Sequence, residues 1–379
     1  MHRVLVLGGG FGGIATAVAL RARLADDDEV VLVERRPTFV MGLRKNWALT
    51  GTSTIAAGER PLSALAERGI RVIAGTIESI EPAARAAVVD GQRLDADALV
   101  VALGAQRNPD AIPGFGEHAI DAYDLTASAA SGAAIDAFEG GRVVIGIFGA
   151  PYPCPPAPFE LALLLMERFE ARGVPGGMLV FTPQPGSLPI LGTEGCAAFD
   201  GRLANAGITF RPKTVATAVE PGAVLTEDGT RLPFDLLIGV PPYRVPPVVA
   251  AAGLTGPSGW VAVDRSTLAT RFDGVYAIGD VTAIPLANGS PLPKAGVFAH
   301  AQGDIVAARI ADTFAGREPA ATFSGVGMCF LETGHGRATM VAGDFFADPP
   351  AVSLREESEA NYAAKQAFES ERLAAWFGA

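Results

Sequence analysis

The segment Pro151-Tyr152-Pro153-Cys154-Pro155-Pro156-Ala157-Pro158-Phe159-Glu160 holds one thiol in a loop with little conformational freedom. Five of the eight residues from Pro151 to Pro158 are proline, and each fixes φ and lacks a backbone N–H. The run LALLLMERF that follows has a helical pattern, so Cys154 stands at the mouth of a helix. Most free cysteines are small buried hydrophobes. A rigid loop at a helix start instead favours a functional thiol, with its pKa lowered by the helix dipole. Glu160, six residues on, has two readings: a proton carrier for an incoming thiol, or a carboxylate that complements the dipole.

A second group of residues is built to hold a dinucleotide. The apolar run RVLVL enters Gly8-Gly9-Gly10-Phe11-Gly12-Gly13, a helical stretch extends to about Leu24, and VVLV closes on Glu34. Glycines at 8, 10 and 13 allow the tight turn, the approach of a pyrophosphate and close helix–sheet packing. Phe11 and Gly12 open the helix, and Glu34 ends the second strand where a carboxylate can accept from ribose hydroxyls, with Arg35 beside it. Two later segments make FAD the expected dinucleotide. DALVVALG, ending at Gly104, and FDGVYAIGDVT, carrying Gly279 and Asp280, resemble the corresponding segments of two-dinucleotide flavoproteins. Ile77 is placed with the same site.

These groups need a scaffold. RVVIGIFG at 142–149 and MLVFT at 178–182 repeat the strand–turn–helix–strand pattern of the N-terminus, so a second Rossmann-like unit is expected. Its turn has lost the glycine fingerprint to prolines, which cannot cradle a pyrophosphate, so no NAD(P)H site is expected there. The fold class is α/β, with two Rossmann-like domains, the second inserted in the first, and a C-terminal segment. The FAD-binding domain is expected over 1–108 and 246–315, the second domain over 109–245, and the C-terminal domain over 316–379.

Composition narrows the partners. A net charge of −11 leaves no basic stripe for nucleic acid and disfavours a polybasic grip on lipid. The apolar stretch 173–193 is interrupted by Pro and Gly, so no transmembrane helix is expected. The N-terminus enters a strand directly, without signal-peptide features, which points to the cytoplasm, with peripheral contact at the membrane face left open. Three cysteines do not make a disulfide scaffold. No metal site is expected, and a homodimer is left open. Residues 355–372 read as a helix with a narrow stripe of Ala360, Ala364, Ala367 and Phe368, too shallow for strong interfacial binding. Trp376 and Phe377 either meet a membrane or pack on protein.

CPPAPFE at 154–160, LPKAGVFAHAQG at 292–303 and MCFLETGHGRA at 328–338 resemble the sulfide:quinone oxidoreductases and the flavoprotein subunit of flavocytochrome c sulfide dehydrogenase. The resemblance implies that Cys154 and Cys329 form a redox disulfide facing the flavin, opened by a small sulfur donor. It also implies that Lys294, Ala295 and Gly296 meet the pyrimidine edge of the flavin. Electrons would leave through FAD to a quinone, or to a cytochrome. Cys196 matches neither cysteine motif and is a bystander, and with all three cysteines placed, FAD should be bound noncovalently. His300 and His335 lie near the motifs and are read as structural or acceptor-side residues. The rivals are a type II NADH dehydrogenase, which needs an intact second glycine turn, and a flavin-bearing redox sensor without turnover.

Overall fold

Strands that are apolar on both faces require cover on both sides, which parallel sheets obtain from their crossover helices. The computed structural model describes residues 1–378, Ala379 lying outside the described residues, and contains two such sheets. In chain order, β1 (Arg3–Leu7), α1 (Phe11–Arg21) and β2 (Glu29–Glu34) form the first βαβ unit. The short helix α2 (Arg44–Leu49) follows, then β3 (Ile70–Ala74), β4 (Ala98–Val101), β5 (Gln106–Arg107) and β6 (Ile120–Asp121). Next come β7 (Gly141–Ile147), α3 (Ala157–Arg172), β8 (Gly176–Phe181), α4 (Gly192–Asn205) and β9 (Ile208–Arg211). β10 (Leu236–Val240), β11 (Tyr243–Arg244), β12 (Val275–Ala277) and α5 (Gly296–Phe314) complete the two units. Last are β13 (Val326–Gly334), β14 (Arg337–Asp344), β15 (Ala351–Leu354) and α6 (Glu359–Phe377).

The first sheet has the order β12-β4-β1-β2-β3, with Val4 opposite both Val30 and Ala98. The second has the order β6-β10-β7-β8-β9. The chain leaves the first sheet after β4 and returns to it at β12. On the way, the outgoing and returning segments pair with each other, Gln106 opposite Arg244 in the β5–β11 ribbon. A third sheet, the antiparallel β13-β14-β15, carries Cys329 opposite Val341.

Helices α1 and α5 cross at very close range: a Cβ on Gly303 would lie 2.6 Å from Thr16 Oγ1. That proximity sets the start of α5 beside the glycine turn of β1–α1.

The last helix departs from the expected one. It runs from 359 to 377, capped by Ser358, whose hydroxyl accepts from the Asn361 N–H at 3.1 Å. Ala360 and Ala364 are exposed, and the buried face is Lys365, Phe368, Glu369, Leu373 and Trp376. Two of these are charged, and each has a buried ionic partner, a pairing that hydrophobic periodicity cannot reveal. Trp376 packs edge-on against Phe11 (4.9 Å between centroids) and Phe39 (5.6 Å), which decides between the two readings of this residue. Among the described residues, no helix is long and apolar enough to cross a membrane.

Candidate active site

The dinucleotide cradle is assembled at the C-terminal edge of the first sheet. Gly8 has φ +109°, and a Cβ there would sit 2.4 Å from the Ala102 carbonyl oxygen, so the turn admits only glycine. A Cβ on Gly10 would meet nothing within 4 Å, leaving open space above the first turn of α1. The free N–H groups of that turn suit a pyrophosphate. Glu34 is buried; its Oε2 accepts from the Gly9 N–H at 2.8 Å and its Oε1 from Arg36 Nε at 3.1 Å. Burial pushes its pKa up, but Arg36 and the Gly9 N–H outweigh this and hold it below the usual range. The guanidinium on this carboxylate is thus Arg36; Arg35 points to solvent. The Phe11 ring leaves the glycine turn for the aromatic cluster of α6. Ile77 packs, half-buried, on the sheet face that holds Leu5 and Val33.

The second half of the cradle is the turn after β12. Gly279, at φ +71°, donates its N–H to Gln302 Oε1 at 2.7 Å, so a buried glutamine of α5 fixes the turn. Burial raises the pKa of Asp280, against the lowering effects of Lys294 and Lys45. Among the described residues no donor lies within hydrogen-bond distance of the Asp280 carboxylate, which leaves it for a ligand. Gly104 faces open space. The open space at Gly10, the buried Glu34 acceptor and the unpartnered Asp280 carboxylate fit an FAD laid across the sheet edge.

Lys294 differs from what its resemblance implies. Its ammonium donates to the carbonyls of Asp280 (2.7 Å) and Thr282 (3.0 Å) and lies 3.5 Å above the centre of the Trp260 ring. Burial lowers its pKa to about 8, opposed by Asp280. The charge is committed to clamping the Asp280 turn. The Lys294 main chain does the positioning: its carbonyl accepts from the Cys154 N–H at 2.6 Å.

Cys154 therefore sits against the start of α5, where Ala295 and Gly296 follow. It adopts φ +52°, a left-handed conformation that costs a non-glycine residue about 1 kcal/mol or more. Tyr123 Oη holds the loop by donating to the carbonyls of Pro153 (3.0 Å) and Cys154 (3.3 Å). The thiol pKa is raised, to about 11, and not lowered as its place near a helix start suggests. Burial is the main cause, the Glu160 carboxylate adds to it, and Lys45 and Lys365 only partly offset it. Cys329 is half-buried, and its pKa is pushed well above the usual range by desolvation, then by Cys154, Glu160 and Asp280. All three cysteines are thiols in this structure. Cys196 lies apart on α4, its Sγ donating to the Leu188 carbonyl at 3.1 Å.

Glu160 is only 3% exposed. Its Oε1 accepts from Asn46 Nδ2 (2.8 Å) and Lys365 Nζ (2.7 Å), and its Oε2 accepts from the Glu332 N–H (2.8 Å). Lys365 also reaches Glu332 Oε1 at 2.7 Å, which in turn accepts from Trp47 Nε1 at 2.6 Å. The carboxylate of Glu160 is the hub of a buried ionic network that ties α2, α3, β13 and α6 together behind the thiols. His335 is exposed on the β13–β14 turn, while His300 packs between Phe11 and Trp376.

Sequence reasoning missed Lys45, Tyr123, Gln302 and Lys365. Gln302 lies within the motif segment 292–303 but was given no role; the other three lie in no recognisable motif, and Lys45 stands in LRKNWAL, which reads as an ordinary amphipathic turn.

The sequence pattern of the family described as pyridine nucleotide-disulphide oxidoreductase matches residues 2–146 and 181–303. The chain is 23% identical over 367 residues to the mitochondrial sulfide:quinone oxidoreductase of Mus musculus, covering 92% of this chain and 79% of that protein. It is 24% identical over 343 residues to the type II NADH:quinone oxidoreductase of Staphylococcus saprophyticus, covering 83% of each. The crystal structure of the sulfide:quinone oxidoreductase of Aquifex aeolicus superposes with a TM-score of 0.90 at 25% identity, over 100% of this chain and 92% of that one. The chain belongs to the pyridine nucleotide-disulphide oxidoreductase family and is a flavoprotein oxidoreductase with FAD as its cofactor.

Proposed function

We propose that the protein oxidises a small sulfur anion, sulfide in the first instance, through a Cys154–Cys329 disulfide, and delivers the electrons through noncovalently bound FAD to a quinone. The observation that carries this reading is the main-chain bond from Cys154 to Lys294, which sets a thiol at the start of α5, beside the cradle that suits FAD. Cys329 lies near enough to feel the charge of Cys154.

In the oxidised protein, hydrosulfide attacks one sulfur of the disulfide. The S–S bond breaks, a new S–S bond forms to the incoming sulfur, and the other cysteine leaves as thiolate. A second hydrosulfide takes the sulfane sulfur as hydrodisulfide, which leaves one cysteine as thiol and the other as thiolate; their reoxidation to the disulfide releases one proton and one electron pair. FAD held by the Gly8–Gly13 turn, Glu34 and Asp280 would supply the two-electron carrier between the thiols and the quinone. The residues of the chain supply position and charge: the loop carbonyls held by Tyr123 fix Cys154, and Glu34, Gln302 and Lys294 shape the cradle.

A type II NADH dehydrogenase is the rival reading. The turn after β7 does not support it: a Cβ on Gly149 would lie 3.1 Å from Pro242 Cα, and five of the eight residues from Pro151 to Pro158 are prolines without N–H donors. Quinone is membrane-dissolved, so peripheral contact with a membrane belongs to this proposal.

The test is anaerobic titration of the oxidised protein with sulfide, glutathione persulfide and NADH, following the flavin spectrum, then reoxidation by a soluble quinone. Sulfide or persulfide should bleach the flavin and Cys329→Ser should abolish that. Bleaching by NADH at a comparable rate, or an unchanged rate in Cys329→Ser, overturns the reading.

A further inference from the structure

The proposed chemistry needs a thiolate in a place that disfavours one. Cys154 is half-buried, which already raises its pKa, and Glu160 raises it further. Tyr152 and Tyr123 beside it are buried and held in the neutral form. A compensating cation is required, and three buried or half-buried lysines surround the site.

Two of them are already committed. Lys365 lies between two carboxylates, each at 2.7 Å, so that triad carries a net negative charge. Lys294 is turned onto the carbonyls of Asp280 and Thr282. Lys45 is different. Among the described residues, no acceptor lies within hydrogen-bond distance of its Nζ, and no carboxylate lies within ion-pair distance.

Its position is nevertheless fixed. The ammonium rests 3.9 Å above the centre of the Tyr123 ring, and the hydroxyl of that same ring grips the Pro153 and Cys154 carbonyls. The next residue, Asn46, donates to the Ala157 carbonyl at 3.0 Å and to Glu160, docking α2 on the first turn of α3. A cation–π contact of this kind orients a lysine without neutralising it. The charged groups that act on Lys45 are Cys154, Asp121, Asp280 and Arg107. Of these, Asp121 is paired with Arg107 at 2.5 Å, which leaves Cys154 and Asp280 as the anionic partners within reach. Burial lowers the Lys45 pKa to about 8, with Cys154 the largest opposing influence.

We infer that Lys45 is a positioning residue: the counter-cation of the Cys154 thiolate, held in line by the Tyr123 ring. The inference rests on the reading of Cys154 as a redox thiol. It carries a consequence for substrate class. An uncompensated ammonium beside the reacting sulfur favours anionic sulfur nucleophiles, hydrosulfide and persulfides, over neutral thiols. When the disulfide opens, the negative charge that entered with the nucleophile comes to rest on the leaving sulfur, opposite Lys45. No further proton is needed for that step.

The test uses the FAD-loaded protein with Cys196→Ser and Cys329→Ser, so that Cys154 is the one thiol. The pH dependence of its alkylation by iodoacetamide is measured with Lys45, Lys45→Met and Lys45→Arg. A one-unit rise in the thiol midpoint corresponds to an alkylation rate about tenfold lower in Lys45→Met at about pH 7, where Lys45 still carries its charge, and Lys45→Arg should stay within about threefold of the parent. Lys45→Gln replaces Lys45→Met if that variant fails to hold FAD. An unchanged profile in Lys45→Met overturns the inference. A loss in Lys45→Arg equal to that in Lys45→Met overturns it as well, since packing alone would then account for the effect. Flavin bleaching by sulfide in the three-cysteine protein is followed separately. If sulfide fails to bleach the flavin while alkylation shifts as expected, the donor reading falls and the counter-cation stands.

Discussion

Lys365 Nζ lies 2.7 Å from Glu160 Oε1, joining the last helix to the first turn of the helix that follows the Cys154 loop. Both side chains are almost wholly buried. Lys365→Met would strand Glu160 and Glu332 without a cation, and removing one partner of a buried ionic group costs about 3–5 kcal/mol. The urea midpoint should fall accordingly, and a loss below about 1 kcal/mol would show that water reaches the carboxylates.

The same network predicts a pH dependence. Burial lowers the Lys365 pKa, but Glu160 and Glu332 outweigh it, so the folded value lies above the ordinary 10.5. A raised lysine pKa contributes stability that is fully present below 10.5 and is lost as pH rises through the folded value. Denaturant titrations at alkaline pH should show this loss, and the double variant Glu160→Gln, Glu332→Gln should flatten it.

Much of the fold was legible because glycine and strand patterns are local. The turn at Gly8–Gly13, Glu34 closing β2 and the repeat beginning at β7 are each set by short stretches of sequence. The ionic hub was not legible, since Asn46, Glu160, Glu332 and Lys365 meet only after three sheets have packed. The Cys154 pKa was misjudged for the same reason: the helix start is visible in the sequence, whereas the burial and the Glu160 charge that outweigh it are not. The buried face of α6 was misjudged because paired charges replace apolar residues there.

Glu34 gives a prediction for the cofactor. Replacing its carboxylate by alanine removes a charged acceptor worth about 1.5–3 kcal/mol, or about 10–100-fold in FAD affinity. Fluorescence of FAD released on dilution measures this. Because Arg36 and the Gly9 N–H hold the carboxyl pKa below its ordinary 4.5, the contribution is present above 4.5 and is lost as pH falls through the folded value. Unchanged FAD retention in Glu34→Ala would place the ribose acceptor elsewhere.

Lys294→Met should loosen the Asp280 turn, since two carbonyls lose a charged donor. FAD retention should drop while secondary structure by circular dichroism stays constant. Equal FAD retention in the variant would show that Gln302 alone holds the turn.

Trp376→Ala should cost about 3–5 kcal/mol as a large-to-small change in a packed aromatic cluster, and should expose α6 to protease before the rest of the chain. Unfolding of the whole molecule in a single step would instead mean that α6 is not separable.

The bond from the Cys154 N–H to the Lys294 carbonyl has a mechanical side. It stitches the inserted unit to the one that carries Gly279 and Asp280, at a point separate from the β5–β11 ribbon through which the chain passes between them. With the ribbon and the docking of Asn46 on α3, it makes a frame where the ribbon alone would make a hinge. A rotation about the ribbon must first tear the stitch, and tearing it carries the sulfur away from the place where it reacts. Motion between the units and readiness of the thiol are therefore mutually exclusive states of the same main-chain bond.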